Sequence, residues 1–80
     1  YEQAAGFIEA LGGKDNIETV ANCATRLRVS VVNPELIAPD GVFRSLGAHG
    51  VVRKKNAVQV IVGLDVPMVK AQADLILKES

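Results

Sequence analysis

Residues 25–32 read T-R-L-R-V-S-V-V, an alternation that sets Leu27, Val29 and Val31 on one side and Arg26, Arg28 and Ser30 on the other. Successive side chains of a strand point to opposite faces, so this pattern predicts a strand with one packed face and one in water. Directly before it, residues 17–23 (I-E-T-V-A-N-C) form a second extended candidate. The two pieces lie close enough to pair as an antiparallel hairpin turning near Cys23, Ala24 and Thr25. No Asn-Gly or Asp-Gly pair marks that turn, so the pairing rests on the alternation.

A second hairpin follows further along. Val51 and Val52 lead through Arg53, Lys54, Lys55 and Asn56 into A-V-Q-V-I-V-G-L (57–64), where Val58, Val60, Val62 and Leu64 alternate strictly. Helical patterns occupy the remainder. Ala4, Phe7, Ile8 and Leu11 share one helical face, and Gly12 and Gly13 can take the left-handed backbone that closes a helix. Asn33-Pro34 ends the first hairpin. Pro39 falls in the first turn of a short helix carrying Val42, Phe43 and Leu46, with Gly47 at its close. Asp65 reads as the cap of a last helix that tolerates Pro67 in its first turn and buries Val66, Val69, Ala73, Ile76 and Leu77. The order is helix, two strands, helix, two strands, helix. It predicts an α+β, two-layer open-faced sandwich: a four-stranded antiparallel sheet with three helices on one face. The other sheet face carries Arg26, Arg28, Ser30 and Gln59.

Composition narrows the function. The 80 residues read as one domain, with no repeat and no linker, and 49% hydrophobic against 22% charged residues suits a packed unit. Nine basic and nine acidic side chains cancel, which argues against non-specific binding of nucleic acid. A single cysteine cannot close an internal disulfide, so a reducing cytosolic setting is the natural reading. No apolar run approaches the ~20 residues that cross a bilayer. The chain starts inside a helical pattern without an initiator methionine, as expected of a domain excised from a larger membrane-bound protein.

The stretch N-C-A-T-R-L-R-V-S (22–30) holds the lone thiol. Nearby cations lower a thiol pKa and so raise its nucleophilicity. On a strand Arg26 and Arg28 project to the same face with Cα atoms ~7 Å apart, and the planar guanidinium fork suits phosphate. Thr25 adds a hydroxyl, and a turn after Cys23 can aim the consecutive N–H groups of Ala24, Thr25 and Arg26 at an anion. Phosphoryl transfer is mostly positioning and electrostatics, so a phosphoryl group on the Cys23 sulfur fits this inventory. It calls for no metal and no cofactor, and neither the P-loop nor the kinase glycine pattern is present.

The run N-C-A-T-R-L-R-V, together with L-G-G-K-D-N-I (11–17), S-L-G-A-H-G-V-V (45–52) and V-Q-V-I-V-G (58–63), resembles the B domain of enzyme II, glucose family, of the bacterial phosphoenolpyruvate-dependent sugar phosphotransferase system. The resemblance runs from the first helix to Gly63. It implies that Cys23 accepts a phosphoryl group from a phosphohistidine of the A domain and passes it to a sugar bound in the membrane C domain. Arg26 and Arg28 match the family's paired arginines and Thr25 its threonine; Ala21 stands where many relatives carry Asp. The implied location is cytoplasmic, at the inner face of the cell membrane.

Blander readings stand beside these. A lone cysteine is often a small buried hydrophobe, and paired arginines are often a solvated strand face. Thr25 is also a good turn former, His49 between glycines reads as a loop residue, and Arg53–Lys55 reads as a charged hairpin tip that can also serve in docking. The competing functions are a non-catalytic regulatory module sensing sugar supply and a redox sensor, the latter lacking a resolving cysteine.

Overall fold

A computed structural model describes residues 2–78. Helix α1 spans Glu2–Ala10, β1 Ile17–Asn22, β2 Arg26–Val31, α2 Asp40–Ser45, β3 Gly50–Lys54, β4 Ala57–Ile61 and α3 Val66–Lys78, with single 3-10 turns at Lys14–Asn16 and Pro34–Leu36. The four strands form one antiparallel sheet in the order β1-β2-β4-β3, so the two hairpins join through their second strands. The three helices cover one face, giving the expected open-faced sandwich.

The register explains the faces. Leu27 pairs with Val60, Val29 with Val58, and Val60 with Val51, all toward the helices. Against this sheet α1 packs Ala4, Phe7 and Ile8, and α3 packs Val66, Val69, Ala73 and Ile76, all buried. Phe7 and Phe43 stack across the α1–α2 contact with ring centroids 6.1 Å apart. Each such aromatic side chain removes roughly 150–250 Å² from water, so this pair anchors the helical layer. On the open face Ala21 pairs with Arg28, Arg28 with Gln59, Ser30 with Ala57, and Arg26 with Ile61.

Three details depart from the sequence reading, while Asp65 stands at the cap position expected of it. Leu64 is 87% exposed: β4 ends at Ile61, and Gly63 at φ 98° breaks the alternation. Val42 is 40% exposed while Phe43 is fully buried, because a six-residue helix presents too little surface to bury neighbours on different sides. Pro39 sits one residue before α2 in an extended conformation, as its N-cap. The last helix starts on the backbone carbonyl of Asp65, which accepts from Met68 and Val69.

One buried polar residue ties the end of the sheet farther from Cys23. Asn16 is 3% exposed. Its Nδ2 donates to Leu11 O at 2.7 Å and Asn33 O at 3.0 Å, and its Oδ1 accepts from Asn33 N at 2.8 Å. A buried amide is tolerated only when its donors and acceptors find partners, and here they lock the exit of α1 to the end of β2. Gly12 must be glycine for this lock: at φ 104° a Cβ would approach Asn16 Nδ2 to 2.6 Å.

Candidate active site

Cys23 lies just past the end of β1, in the three-residue turn that joins it to β2. The turn closes through Cys23 N donating to Arg26 O at 3.0 Å. From the other side the segment just past β4 anchors it: Thr25 O accepts from Val62 N at 3.0 Å and from Gly63 N at 2.9 Å. With the Thr25 carbonyl committed to that segment, the turn is fixed relative to the sheet. The positive φ of Gly63 lets the chain deliver those two donors before it turns toward α3. His49 completes this end, its N–H donating to Ile61 O at 2.7 Å. The imidazole lies beside Gly63, where an added Cβ would meet Nε2 at 3.5 Å.

The thiol is free and exposed. When protonated it donates to Arg26 O at 3.7 Å. Its pKa is held below the ordinary thiol value first by a backbone hydrogen bond from Arg26, then by one from Thr25 and by the positive charges of Arg28 and Arg26; partial desolvation of the sulfur opposes them. A hydrogen bond favours an ionised sulfur when it is donated to it, as a main-chain N–H can do. Thr25 thus acts on the thiol through its main chain. Ala24 stands exposed at the tip between them.

Both arginines lie on the open face, as their alternation requires, but they are placed differently. Arg26 is half-buried and its Nη1 donates to Gln59 Oε1 at 2.8 Å. Arg28 is exposed, and with Thr19, Ala21, Ser30, Ala57 and Gln59 it lines a depression of about 230 Å³. Although Arg28 is farther from Cys23 in sequence, its charge acts on the sulfur more strongly than that of Arg26.

The basic hairpin tip divides. Arg53 is clasped to the protein, Nε and Nη2 donating to Asp40 Oδ1 at 3.0 and 2.7 Å and Nη2 to Ala38 O at 2.5 Å. Its guanidinium carbon also lies 6.0 Å from the centre of the Phe43 ring. Lys54 and Lys55 stay exposed. Among the described residues no three His, Cys, Asp or Glu side chains converge as a metal site would require. No helix among them is long and apolar enough to cross a membrane.

Fold and turn together define a small open-faced α+β module with an exposed thiol at one end of a sheet face that carries two arginines. Comparison with known proteins places it. Residues 5–37 match the family model described as phosphotransferase system, EIIB. The chain is 58% identical over 78 residues to the PTS system alpha-glucoside-specific EIICB component of Klebsiella pneumoniae, covering 98% of this chain and 14% of that protein. It is 38% identical over 72 residues to the PTS system N-acetylglucosamine-specific EIIB component of Streptomyces coelicolor, covering 90% of this chain and 92% of that protein. A crystal structure of one domain of the PTS system IIabc component from Clostridium difficile superposes with a TM-score of 0.77 at 30% identity, over 91% of this chain and 76% of that one. The chain belongs to the EIIB family of the phosphotransferase system.

Proposed function

We propose that this chain is the phosphocysteine carrier of a sugar-transporting phosphotransferase. The Cys23 thiolate attacks the phosphorus of a phosphohistidine on an EIIA component. The S–P bond forms as the P–N bond breaks, and the imidazole nitrogen leaves with the electron pair. In the second transfer a sugar hydroxyl held by the membrane EIIC component attacks the same phosphorus. The S–P bond then breaks, Cys23 departs as the thiolate, and the hydroxyl proton passes to a base of the acceptor or to solvent.

The observation that carries this reading is the exposed sulfur in a turn adjoining the sheet face that bears Arg26 and Arg28, its pKa lowered by main-chain hydrogen bonding and by both guanidinium charges. A depressed thiol pKa supplies nucleophile at neutral pH and makes the same sulfur a better leaving group in the second transfer. The amides can hold phosphoryl oxygens, and Arg26 and Arg28 offset charge as the group arrives and departs. The strand positions in register on the open face carry Arg26, Arg28 and Lys54 and no carboxylate, which suits docking of an acidic partner surface. The chain works at the inner face of the membrane as the B component of a transporter, and the relatives' names make an alpha-glucoside the first sugar to supply.

Incubation with a phosphorylated EIIA component, followed by intact-mass measurement, tests the reading. One phosphoryl group should be gained by the wild-type chain and none by Cys23→Ser. A chain that gains no phosphate, or gains it equally in the Cys23→Ser variant, would overturn the carrier assignment.

A further inference from the structure

Arg26 is nearer Cys23 in sequence, yet its side chain is tied elsewhere. In register, Arg26 faces Ile61 and Arg28 faces Gln59, so Gln59 stands two positions farther from the Cys23 turn than Arg26 does. The 2.8 Å bond from Arg26 Nη1 to Gln59 Oε1 therefore draws the guanidinium along the sheet, away from the sulfur. We infer that Gln59 is a latch for Arg26: it holds the guanidinium over the sheet while Cys23 is empty and yields it to the phosphoryl group once the sulfur is loaded.

The competition is unequal in the right direction. Gln59 offers one neutral amide oxygen, whereas a bound phosphoryl group carries about −1.5 to −2 charges and three acceptor oxygens. The guanidinium can pair bidentately with phosphoryl oxygens and is attracted by their charge, neither of which a single amide oxygen offers, so loading should win the guanidinium from the amide. Arg28 is not held in this way, which agrees with its stronger effect on the empty sulfur. The arginines then divide the work: Arg28 conditions the thiol before loading, and Arg26 responds after it. Gln59 touches no reacting atom and is a positioning residue. A latch of this kind keeps the sulfur accessible to the donor and commits the second cation only to a loaded carrier.

The inference rests on the carrier reading, and its test separates the two. In the wild-type chain labelled for NMR, a contact between the Arg26 guanidinium and the Gln59 side chain should be present before phosphorylation and lost after it. A contact that persists in the phosphorylated chain would overturn the latch while leaving the carrier reading in place. Failure of the wild type to accept phosphate would sink the carrier reading and the latch with it. In a second arm, Gln59→Leu should raise the rate of Cys23 alkylation by iodoacetamide at pH 7 by about two- to threefold, because the freed guanidinium moves toward the thiolate. That gain should vanish when Arg26→Ala is added, a non-additivity that a general loosening of the sheet would not produce. Equal alkylation in wild type and Gln59→Leu, or a gain that survives Arg26→Ala, would count against the latch.

Discussion

The two hairpin turns sit at opposite ends of the sheet and handle their polar groups in opposite ways. At the β3–β4 turn Asn56 and Arg53 are bonded internally, although Lys54 and Lys55 stay exposed. Asn56 Nδ2 donates to Val31 O and Val32 O at 2.8 and 3.0 Å, Asn56 O accepts from Val31 N, and Arg53 is clasped to Asp40 and Ala38. The Asn16 lock at the same end saturates the last exposed links of β2. At the β1–β2 turn, by contrast, the Thr25 carbonyl accepts from Val62 and Gly63 just past β4, while the Cys23 thiol stays exposed with its pKa lowered. One end commits its hydrogen bonds to stability, and the other presents a group that water and partners can reach. Function and stability are thereby separated along a sheet only five or six residues long.

That separation can be broken from either end, and the effects should differ in kind. The largest belongs to Cys23→Ser, which should abolish phosphate uptake by intact mass yet leave the urea midpoint unchanged, since the side chain is exposed. A lowered midpoint would mean that the turn is structural after all. Next come Arg26→Ala and Arg28→Ala. Each should slow sugar phosphorylation, assayed with membranes containing an EIIC component, by about 10- to 100-fold, without loss of the fold. Normal turnover would remove these side chains from the catalytic account.

At the closed end the pattern should invert. Asn16→Leu strands the buried Leu11 and Asn33 backbone groups, so unfolding free energy should fall by about 1–3 kcal/mol while phosphate uptake per folded molecule stays normal. Thiol reactivity sharpens the comparison further. Because the folded pKa is the lower one, the Cys23 thiolate forms at lower pH in the folded chain than in the unfolded chain. The associated stabilisation is present above the unfolded pKa and is lost as pH falls through the folded value. The alkylation profile should accordingly rise at lower pH than that of an unstructured thiol, and Arg28→Ala should move it upward. A profile that ignores Arg28 would contradict the charge effect. The smallest change is expected from Arg53→Met, about 0.2–1 kcal/mol of stability for a partly exposed ion pair, with uptake unaffected.

Much of this was readable before any coordinates, for a physical reason. Alternation at residues 25–32 and 57–62 specifies which face of a strand is buried, and both arginines fall where that rule puts them. Alternation does not say where a strand stops, so Leu64 reads as core although Gly63 has already turned the chain. Nor does it reveal contacts that depend on pairing. Arg26 meets Gln59 only because β2 lies beside β4, 33 positions away in sequence. Asn16 becomes a buried lock only because Leu11 and Asn33 converge on it. Hydropathy likewise leaves Arg53 looking like a solvated tip residue, since its partners Asp40 and Ala38 belong to another element. The position of the Cys23 turn was the most legible part, because the two flanking strand patterns leave it between them. What its residues do through the backbone needed the turn geometry.

The most direct measurement is an amide NMR spectrum of the chain before and after phosphoryl transfer from EIIA, combined with phosphorus NMR to locate the group. The phosphorus should sit on sulfur, the Thr25 and Arg26 amide protons should shift strongly downfield, and the Val31, Val32 and Asn56 resonances should stay in place. Phosphorus bound to another atom, or amide shifts spread evenly over both ends of the sheet, would contradict the account.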